Sequence, residues 1–318
     1  MAFLFISSYE DPGIWEKEFR THMPDMDFCV WDRTQDEGGI TEPATIEFII
    51  AALPPRGVIT KDRFPKLKAI FSLWAGVERM LEDETLPTDI PLFRLIDESL
   101  STGMSEYIAA WVLYFHRGFD ELAAQQQTRT WQEIPAPDTT HRRVGILGLG
   151  ALGMHAANML RGLGFQSVGG YSRTKKTVPG VESFYGPDQL KPFLERTEIL
   201  VCLLPLTEET NGILNAETLA HLPQGAVIIN PGRGRHLLGD NLITALNEGH
   251  LRGAVLDVFD REPLPSESPL WAHPKIIITP HIASLTIPKT AARSVSDTIK
   301  RFMAGDVAPG LVDRDRGY

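Results

Sequence analysis

Cysteine is nearly absent from this chain, with only Cys29 and Cys202 among 318 residues. The two lie far apart and neither sits in a paired spacing, so a disulfide framework and a cysteine-rich zinc site are both excluded. A reducing, cytoplasmic setting is expected. Basic charge is also short: 31 Lys and Arg stand against 41 Asp and Glu, for a formal net charge of -10. Nucleic acids and anionic membranes reward broad basic surfaces, so neither is expected as a partner. Any anion bound by so acidic a chain must be caught locally. No apolar run approaches the roughly 20 residues that cross a bilayer. The opening MAFLFISSYEDPG lacks a basic region and a small-residue cleavage site, and reads as a first strand. The nine histidines never form H-E-x-x-H, and G-x-S-x-G does not occur, so neither a zincin-type centre nor a serine-hydrolase elbow is indicated. No metal is expected.

What remains is a chain 43% hydrophobic and 23% charged, long enough for two cores. Short β-rich runs alternate with helical patterns. AFLFIS, DFCVWD, LKAIFSLW and LFRLID fall in the first hundred residues, and RVGILG, SVGGYS, EILVCLL, GAVIIN, GAVLDVF and KIIITP form a second set. This alternation predicts an α/β fold with parallel, doubly wound sheets. A helix is predicted in MSEYIAAWVLYFHRGF, whose Tyr107, Trp111, Tyr114 and Phe115 recur at helical spacing and read as packing residues. The polar, Pro-punctuated ELAAQQQTRTWQEIPAPDTTHRR that follows reads as a linker or an arm lying on something else. A last helix, IPKTAARSVSDTIKRFMAG, should end at Gly305, and the tail DVAPGLVDRDRGY looks loosely ordered. No internal repeat at a solenoid period is present.

The strongest motif is VGILGLGALGMHAANML, where Gly148, Gly150 and Gly153 form G-x-G-x-x-G directly after an apolar strand and open a helix. Gly148 permits the tight turn, Gly150 lets the backbone approach a pyrophosphate, and Gly153 lets helix and strand pack. With Leu149, Ala151 and Leu152 between them, these residues predict a dinucleotide site. At the end of the next strand, an NAD site usually places Asp or Glu to bind the ribose 2′-hydroxyl. Here GGYSRTKK puts Ser172 in that place, followed by Arg173, Lys175 and Lys176. A carboxylate would repel a 2′-phosphate, whereas a hydroxyl beside a guanidinium and ammonium groups can accept it. The stretch therefore predicts NADPH (NADP+), with NADH taken less tightly. The competing reading is a solvated basic loop.

Further strand ends carry chemistry. GAVIIN is followed by Pro231, Gly232 and Arg233, at the carboxyl end of a strand where ligands of open α/β sheets gather. GAVLDVFDREP places Asp257 near a strand end and Glu262 in the loop beyond. KIIITPHIASLT puts His281 just after another strand. An arginine, a carboxylate and a histidine thus arrive from three strand ends.

The pieces GLGALG, LPLTEETNGIL, NPGRGRHL, VLDVFDREPLP and TPHIAS occur in the order of the D-isomer-specific 2-hydroxyacid dehydrogenases, which the sequence resembles over nearly its whole length. LWAGVERML and MSEYIAAWVLYFHR are similar to the glyoxylate and hydroxypyruvate reductase branch, which is mostly NADPH-dependent. The resemblance implies two doubly wound parallel-sheet domains. A flavodoxin-like substrate domain, residues 1–100 completed by 287–318, would receive an inserted Rossmann NADP-binding domain, residues 101–286, with the active cleft between them. It further implies reduction of a small 2-oxo acid, glyoxylate to glycolate or hydroxypyruvate to D-glycerate. His281 would be the acid/base, Glu262 its partner carboxylate and Arg233 the substrate arginine. Imidazolium is a suitable proton donor near neutral pH, and a forked guanidinium can bind a carboxylate while polarising the ketone.

The same resemblance assigns the backbone of Ala75, Gly76 and Val77 to the substrate carboxylate. Trp74 departs from the commoner smaller residue, either restricting the pocket to small substrates or simply packing. Asp257 would lie near the nicotinamide amide and ribose, and Leu204 and Pro205 would flank the cofactor. The arm QQQTRTWQEIPAP is similar to the segment that reaches a second subunit, which implies a homodimer with Trp131 as an anchor; a linker with one exposed indole is the alternative. Other readings stay open: a 2-hydroxyacid dehydrogenase of another substrate, or a non-catalytic NADP-responsive binding protein on the same fold. In β-hydroxyacid dehydrogenases the glycine motif opens the chain and an all-helical domain follows, whereas here strands continue to residue 279.

Overall fold

A computed structural model describes residues 1–315. The chain divides into two compact units, one made of Met1–Leu100 with the chain from Thr286 onward, the other of Ser101–Leu285. The first unit opens with β1 (Ala2–Ser7), α1 (Pro12–His22), β2 (Asp27–Val30), β3 (Ile46–Ala52), β4 (Ala69–Ser72), the short α2 (Glu78–Leu81) and β5 (Leu92–Phe93). Helices α3 (Glu98–His116) and α4 (Phe119–Thr128) follow, then β6 (Val144–Leu147), α5 (Ala151–Gly162), β7 (Val168–Ser172) and β8 (Glu182–Tyr185). The second unit continues through α6 (Leu190–Glu195), β9 (Ile199–Cys202), α7 (Ala216–Ala220), β10 (Ala226–Asn230), α8 (Gly239–Asn247), β11 (Leu251–Leu256) and β12 (Ile276–Ile278). Helix α9 (Pro288–Ala304) returns to the first unit.

In the first unit the strand order is β2-β1-β3-β4-β5, with every pair parallel. Both faces are covered, so successive residues of one strand enter different cores. Phe3 and Phe5 of β1 pack with Trp15 and Phe19 of α1 and with Ala292, Val295 and Ile299 of α9. Leu4 and Ile6 point the other way, toward Ile59, Phe64, Val77 and Met80. This is why the parallel strands read as unbroken apolar runs rather than alternating ones. The entry to α1 is set by Asp11, whose carboxylate accepts from Gly13 N–H at 2.8 Å, with Pro12 at the first helical position.

The second unit has the order β12-β11-β10-β9-β6-β7-β8, again parallel throughout. Chain direction across the sheet reverses at β6, with β7 and β8 on one side and β9 to β12 on the other, which makes the carboxyl end of β6 the switch point where ligands gather. One face is covered by α3 and α5 through Ile108, Val112, Phe115, Ala156, Ala157 and Leu160. The opposite face is covered by α6, α7 and α8 through Phe193, Leu219, Leu242 and Leu246.

Some elements differ from the reading of the sequence. The central strand β3 and the edge strand β8 were not among the strands expected, and the first part of the polar arm is helix α4. The tail is not loose where it meets β5: Arg94 N–H donates to Gly310 O at 2.8 Å and Val312 N–H to Leu92 O at 2.9 Å. Its last residues, 316–318, lie outside the described residues. Helix α9 does end at Gly305, whose φ of 77° needs a residue without a β-carbon.

An alanine at a helical glycine ordinarily stabilises by about 1 kcal/mol. At position 153, however, a β-carbon would lie 1.9 Å from the Gly148 carbonyl oxygen and drive α5 off the β6 turn. Gly153→Ala is therefore expected to lower the thermal midpoint in a circular dichroism melt, and a higher midpoint would contradict this contact.

Candidate active site

The glycine motif occupies the switch point. Gly148 has φ 108°, and a β-carbon there would meet the Leu203 carbonyl at 2.6 Å, so the turn is pressed against the end of β9. Gly150, in extended conformation, precedes α5, and nothing lies within 4 Å of where its β-carbon would be. The first-turn amides of α5 have no acceptor within the helix. A backbone open on this side and carrying a helix N-terminus fits a pyrophosphate.

Strands β9, β6 and β7 are neighbours, so their ends bring three predicted segments into line. Leu204 is buried and Pro205 half-buried just beyond β9, while Arg173, Thr174, Lys175 and Lys176 are exposed just beyond β7. Ser172 is different. It is buried, and its hydroxyl donates to the Thr174 carbonyl at 2.8 Å, so its proton is committed to shaping the turn.

On the other side of the sheet, β10, β11 and β12 are consecutive neighbours and carry Arg233, Glu262 and His281 in the loops after them. Asn230 ends β10 almost wholly buried and pins the arginine turn from both sides: its side-chain oxygen accepts from Gly232 N–H at 3.3 Å and its amide donates to Arg233 O at 3.1 Å. The Arg233 guanidinium donates to Gly232 O at 2.8 Å. Gly234 lets the turn approach the loop that carries Glu262, since a β-carbon there would sit 1.9 Å from the Phe259 carbonyl carbon. Arg235 lies past the turn, exposed, with Asp260 at 4.0 Å.

His281 and Glu262 meet directly. Imidazole Nδ1 donates to Glu262 Oε2 at 2.7 Å, and Glu262 Oε1 accepts from Phe259 N–H at 3.0 Å, so each carboxylate oxygen has a donor. The hydrogen bond to Glu262 raises the imidazole's proton affinity above its ordinary value, against the opposing pull of burial and of nearby Arg233. Burial works to raise the Glu262 carboxyl, but the bonds from His281 and Phe259 outweigh it and hold it below its ordinary value. With Nδ1 engaged, Nε2 has no hydrogen-bond partner among the described residues. A histidine held by one nitrogen with the other unbonded can give or take a proton.

Asp257, which the resemblance puts beside the cofactor, has no exposed surface, and both carboxylate oxygens are bonded within the loop that follows β12. In the first unit, Trp74 to Val77 follow β4 at the carboxyl edge of that sheet. Trp74 N–H donates to Ser72 Oγ at 3.0 Å, and its carbonyl accepts from Leu95 N–H at 3.0 Å. Its indole packs against the core and lies 6.2 Å from the Tyr9 ring. The amides of Ala75, Gly76 and Val77 have no acceptor among the described residues.

Several residues that shape the site escaped the sequence reading. Asn230 gave a signal, as a polar residue closing the apolar run AVIIN. His236 gave less of one, although it is wholly buried, with ring nitrogens at 3.5 Å from Cys202 Sγ and 3.3 Å from Pro205 O. It ties the arginine turn to the end of β9.

The fold and this arrangement define an oxidoreductase class, and the chain belongs to it: residues 109–283 match the model of the D-isomer specific 2-hydroxyacid dehydrogenase family, NAD binding domain. A relative from Citrobacter koseri, glyoxylate/hydroxypyruvate reductase A, is 41% identical, with 100% of both chains covered. The D-isomer specific 2-hydroxyacid dehydrogenase from Xanthobacter autotrophicus Py2 in complex with NADPH and MES aligns with a TM-score of 0.94 at 39% identity, covering 100% of this chain and 99% of that one. The NADPH-dependent glyoxylate/hydroxypyruvate reductase from Sinorhizobium meliloti in complex with NADP and sulfate aligns with a TM-score of 0.90 at 33% identity, with the same coverage. Among the described residues, no helix is long and apolar enough to cross a membrane, and no group of three His, Cys, Asp or Glu is arranged to hold a metal.

The pair His281–Glu262 sets a pH dependence. The imidazole keeps its proton above its ordinary pKa and loses it as pH rises through the raised value, while Glu262 stays ionised until pH falls through its lowered one. This imidazole should therefore stop being able to donate a proton on the alkaline side. Glu262→Gln removes the largest cause of the raised imidazole pKa, so the alkaline limb of the reduction rate should move to lower pH; an unmoved limb would separate Glu262 from the proton donor.

Proposed function

We propose that this chain is an NADPH-dependent reductase of small 2-oxo acids, converting glyoxylate to glycolate and hydroxypyruvate to D-glycerate. The observation that carries the reading is the His281–Glu262 bond at 2.7 Å, which leaves Nε2 without a hydrogen-bond partner among the described residues, with Arg233 on the next strand end but one. Bound NADPH supplies the hydride. His281 Nε2 gives its proton to the carbonyl oxygen as the carbonyl carbon is reduced, and Glu262 stabilises the imidazolium beforehand. In the reverse direction the neutral imidazole takes the hydroxyl proton. Arg233 binds the substrate carboxylate and draws charge from the ketone oxygen, a two-point contact that lysine's single ammonium does not reproduce.

The unit of residues 101–285 is assigned to the cofactor. The amides around Gly148, Leu149, Gly150, Ala151, Leu152 and Gly153 would hold its pyrophosphate, with Leu204, Pro205, Pro231 and Gly232 alongside. Arg173 is assigned to the 2′-phosphate, assisted by Lys175. The committed hydroxyl of Ser172 removes it as a donor, which shifts the weight to the guanidinium. The first unit is assigned to the substrate carboxylate through the amides of Ala75, Gly76 and Val77, with Trp74 and Tyr9 as an aromatic pair favouring short substrates. In the cell a cytoplasmic setting is consistent with two free cysteines.

The reading is tested by NADPH absorbance with glyoxylate, hydroxypyruvate, pyruvate and longer 2-oxo acids, each repeated with NADH. Rapid turnover of the two-carbon and three-carbon acids with NADPH is expected; no turnover of any of them would favour a binding protein instead. Arg233→Lys should lose about 100-fold in kcat/KM. Arg173→Asp should raise the NADPH KM about tenfold or more while leaving NADH nearly unchanged, and equal effects on both cofactors would remove Arg173 from the phosphate site.

The same proposal extends to a homodimer joined through the arm after α4. Trp131 is 100% exposed, and so large an apolar side chain is the kind of anchor a partner covers. Light scattering should give twice the 35.4 kDa chain mass, and Trp131→Ala should shift it toward monomer. A monomer mass for the unaltered chain would end this part of the reading.

A further inference from the structure

Three consecutive amides converge on Asp257. Its main-chain carbonyl accepts from His281 N–H at 2.8 Å, Oδ1 from Ile282 N–H at 2.9 Å and Oδ2 from Ala283 N–H at 2.9 Å. Under this grip His281 adopts φ 55°, in the left-handed region that a residue with a β-carbon keeps only when its surroundings hold it there. In this conformation Nδ1 meets Glu262. Whatever steadies Asp257 therefore steadies the imidazole.

A hydrogen-bonded chain leads away from that carboxylate. Asp257 Oδ1 also accepts from the Thr279 hydroxyl at 2.5 Å. A hydroxyl has one proton, so the 2.6 Å contact between Thr279 Oγ1 and the Tyr107 hydroxyl must be donated by Tyr107. Burial pushes the phenol up to about 12, so Tyr107 keeps its proton through the neutral range. The rest of the ring serves packing, on the core beneath α3 and edge-on to Trp111 at 6.1 Å. Phenylalanine would meet that need. The hydroxyl has a separate use.

We infer that Tyr107 is a positioning residue for His281: through Thr279 and Asp257, its hydroxyl fixes the loop that presents the imidazole. No part of Tyr107 touches the reacting atoms. The inference rests on the proposed reductase reading only for its kinetic consequence, because the geometry of His281 can be followed without turnover.

The charged groups facing His281 are Glu262 and Asp257, which raise its proton affinity, and Arg233, which lowers it. Slackening the loop lengthens the 2.7 Å bond to Glu262 and leaves Arg233 less opposed. The imidazole should then titrate at lower pH.

The test is NMR titration of the His281 imidazole in the cofactor-free full-length chain, for wild type, Tyr107→Phe, Thr279→Val and the double variant, alongside kinetics. Tyr107→Phe, nearly isosteric, should lower the His281 midpoint and reduce kcat about tenfold, with the KM for NADPH unchanged, because the loop is displaced rather than the cofactor site. The double variant should be no worse than Thr279→Val alone, since both break one chain. Thr279→Ser keeps the hydroxyl and should restore both readouts toward wild type. An unchanged midpoint in a folded Tyr107→Phe protein, or losses that simply add in the double variant, overturns the inference. A purely structural role would lower the melting temperature and leave the midpoint where it was. Absence of turnover in the wild type would sink the reductase reading while the titration still decides the role of Tyr107.

Discussion

A parallel sheet sends every carboxyl end to the same edge, and the chemistry of the second unit depends on that constraint. Because β9, β6 and β7 are adjacent, the glycine turn, the Leu204–Pro205 segment and the basic loop stand side by side although the first, ending at Gly153, and the second, beginning at Leu204, are far apart in sequence. Because β10, β11 and β12 are adjacent, the arginine, the carboxylate and the histidine do the same. No long-range side-chain contact is needed to collect them. The sheet collects them, and local hydrogen bonds then aim each one.

Aiming requires loops to pass closer than side chains allow. At Gly148, Gly232 and Gly234 a β-carbon would fall within 3 Å of a neighbouring backbone atom, respectively at Leu203, Cys202 and Phe259. These are contacts between the ends of neighbouring strands, so each glycine fixes how one loop leans on the next. Asn230 and Asp257 act in a complementary way. Each is a buried polar residue at or just past the end of an apolar strand: Asn230 bonds the turn that follows it, whereas the Asp257 carboxylate accepts from the loop after the neighbouring strand β12. A buried carboxylate left unpaired would be costly, and here the cost is offset because the loop amides that satisfy it are the ones that must be ordered for His281 to face Glu262.

Much of this was legible in the sequence, for reasons that differ by element. G-x-G-x-x-G after an apolar strand is readable because its chemistry lies in the backbone, and small residues announce backbone proximity. Arg233, Glu262 and His281 are readable because they are polar residues placed just beyond strands. Strand β3 was missed because EFIIAA is buried on both faces, and a short apolar run without alternation does not declare its period. Strand β8 was missed for the opposite reason: at the sheet edge, Glu182 and Tyr185 are exposed and Ser183 and Phe184 only partly buried. Tyr107 was read as packing because its ring does pack. Only the three-dimensional meeting of α3 with the end of β12 reveals that the hydroxyl has a partner.

The acidic balance of the chain gives the basic loop its meaning. Exposed cations on a protein of net charge -10 are held in a field that favours cations and disfavours anions, so an anion is retained only where several donors converge at short range. The end of β7 meets that condition through its neighbours: it lies beside β6 and its helix N-terminus, whose open amides already favour negative charge. An acid in place of Ser172 would cancel part of this local potential. A serine whose hydroxyl is turned into the Thr174 carbonyl leaves it intact and also holds the turn that exposes Arg173. On the proposed reading, selectivity at this position would have two contributions, the absence of a repulsive charge and the turn that leaves Arg173 exposed, and the second is held by the bond of the buried Ser172 hydroxyl to the Thr174 carbonyl.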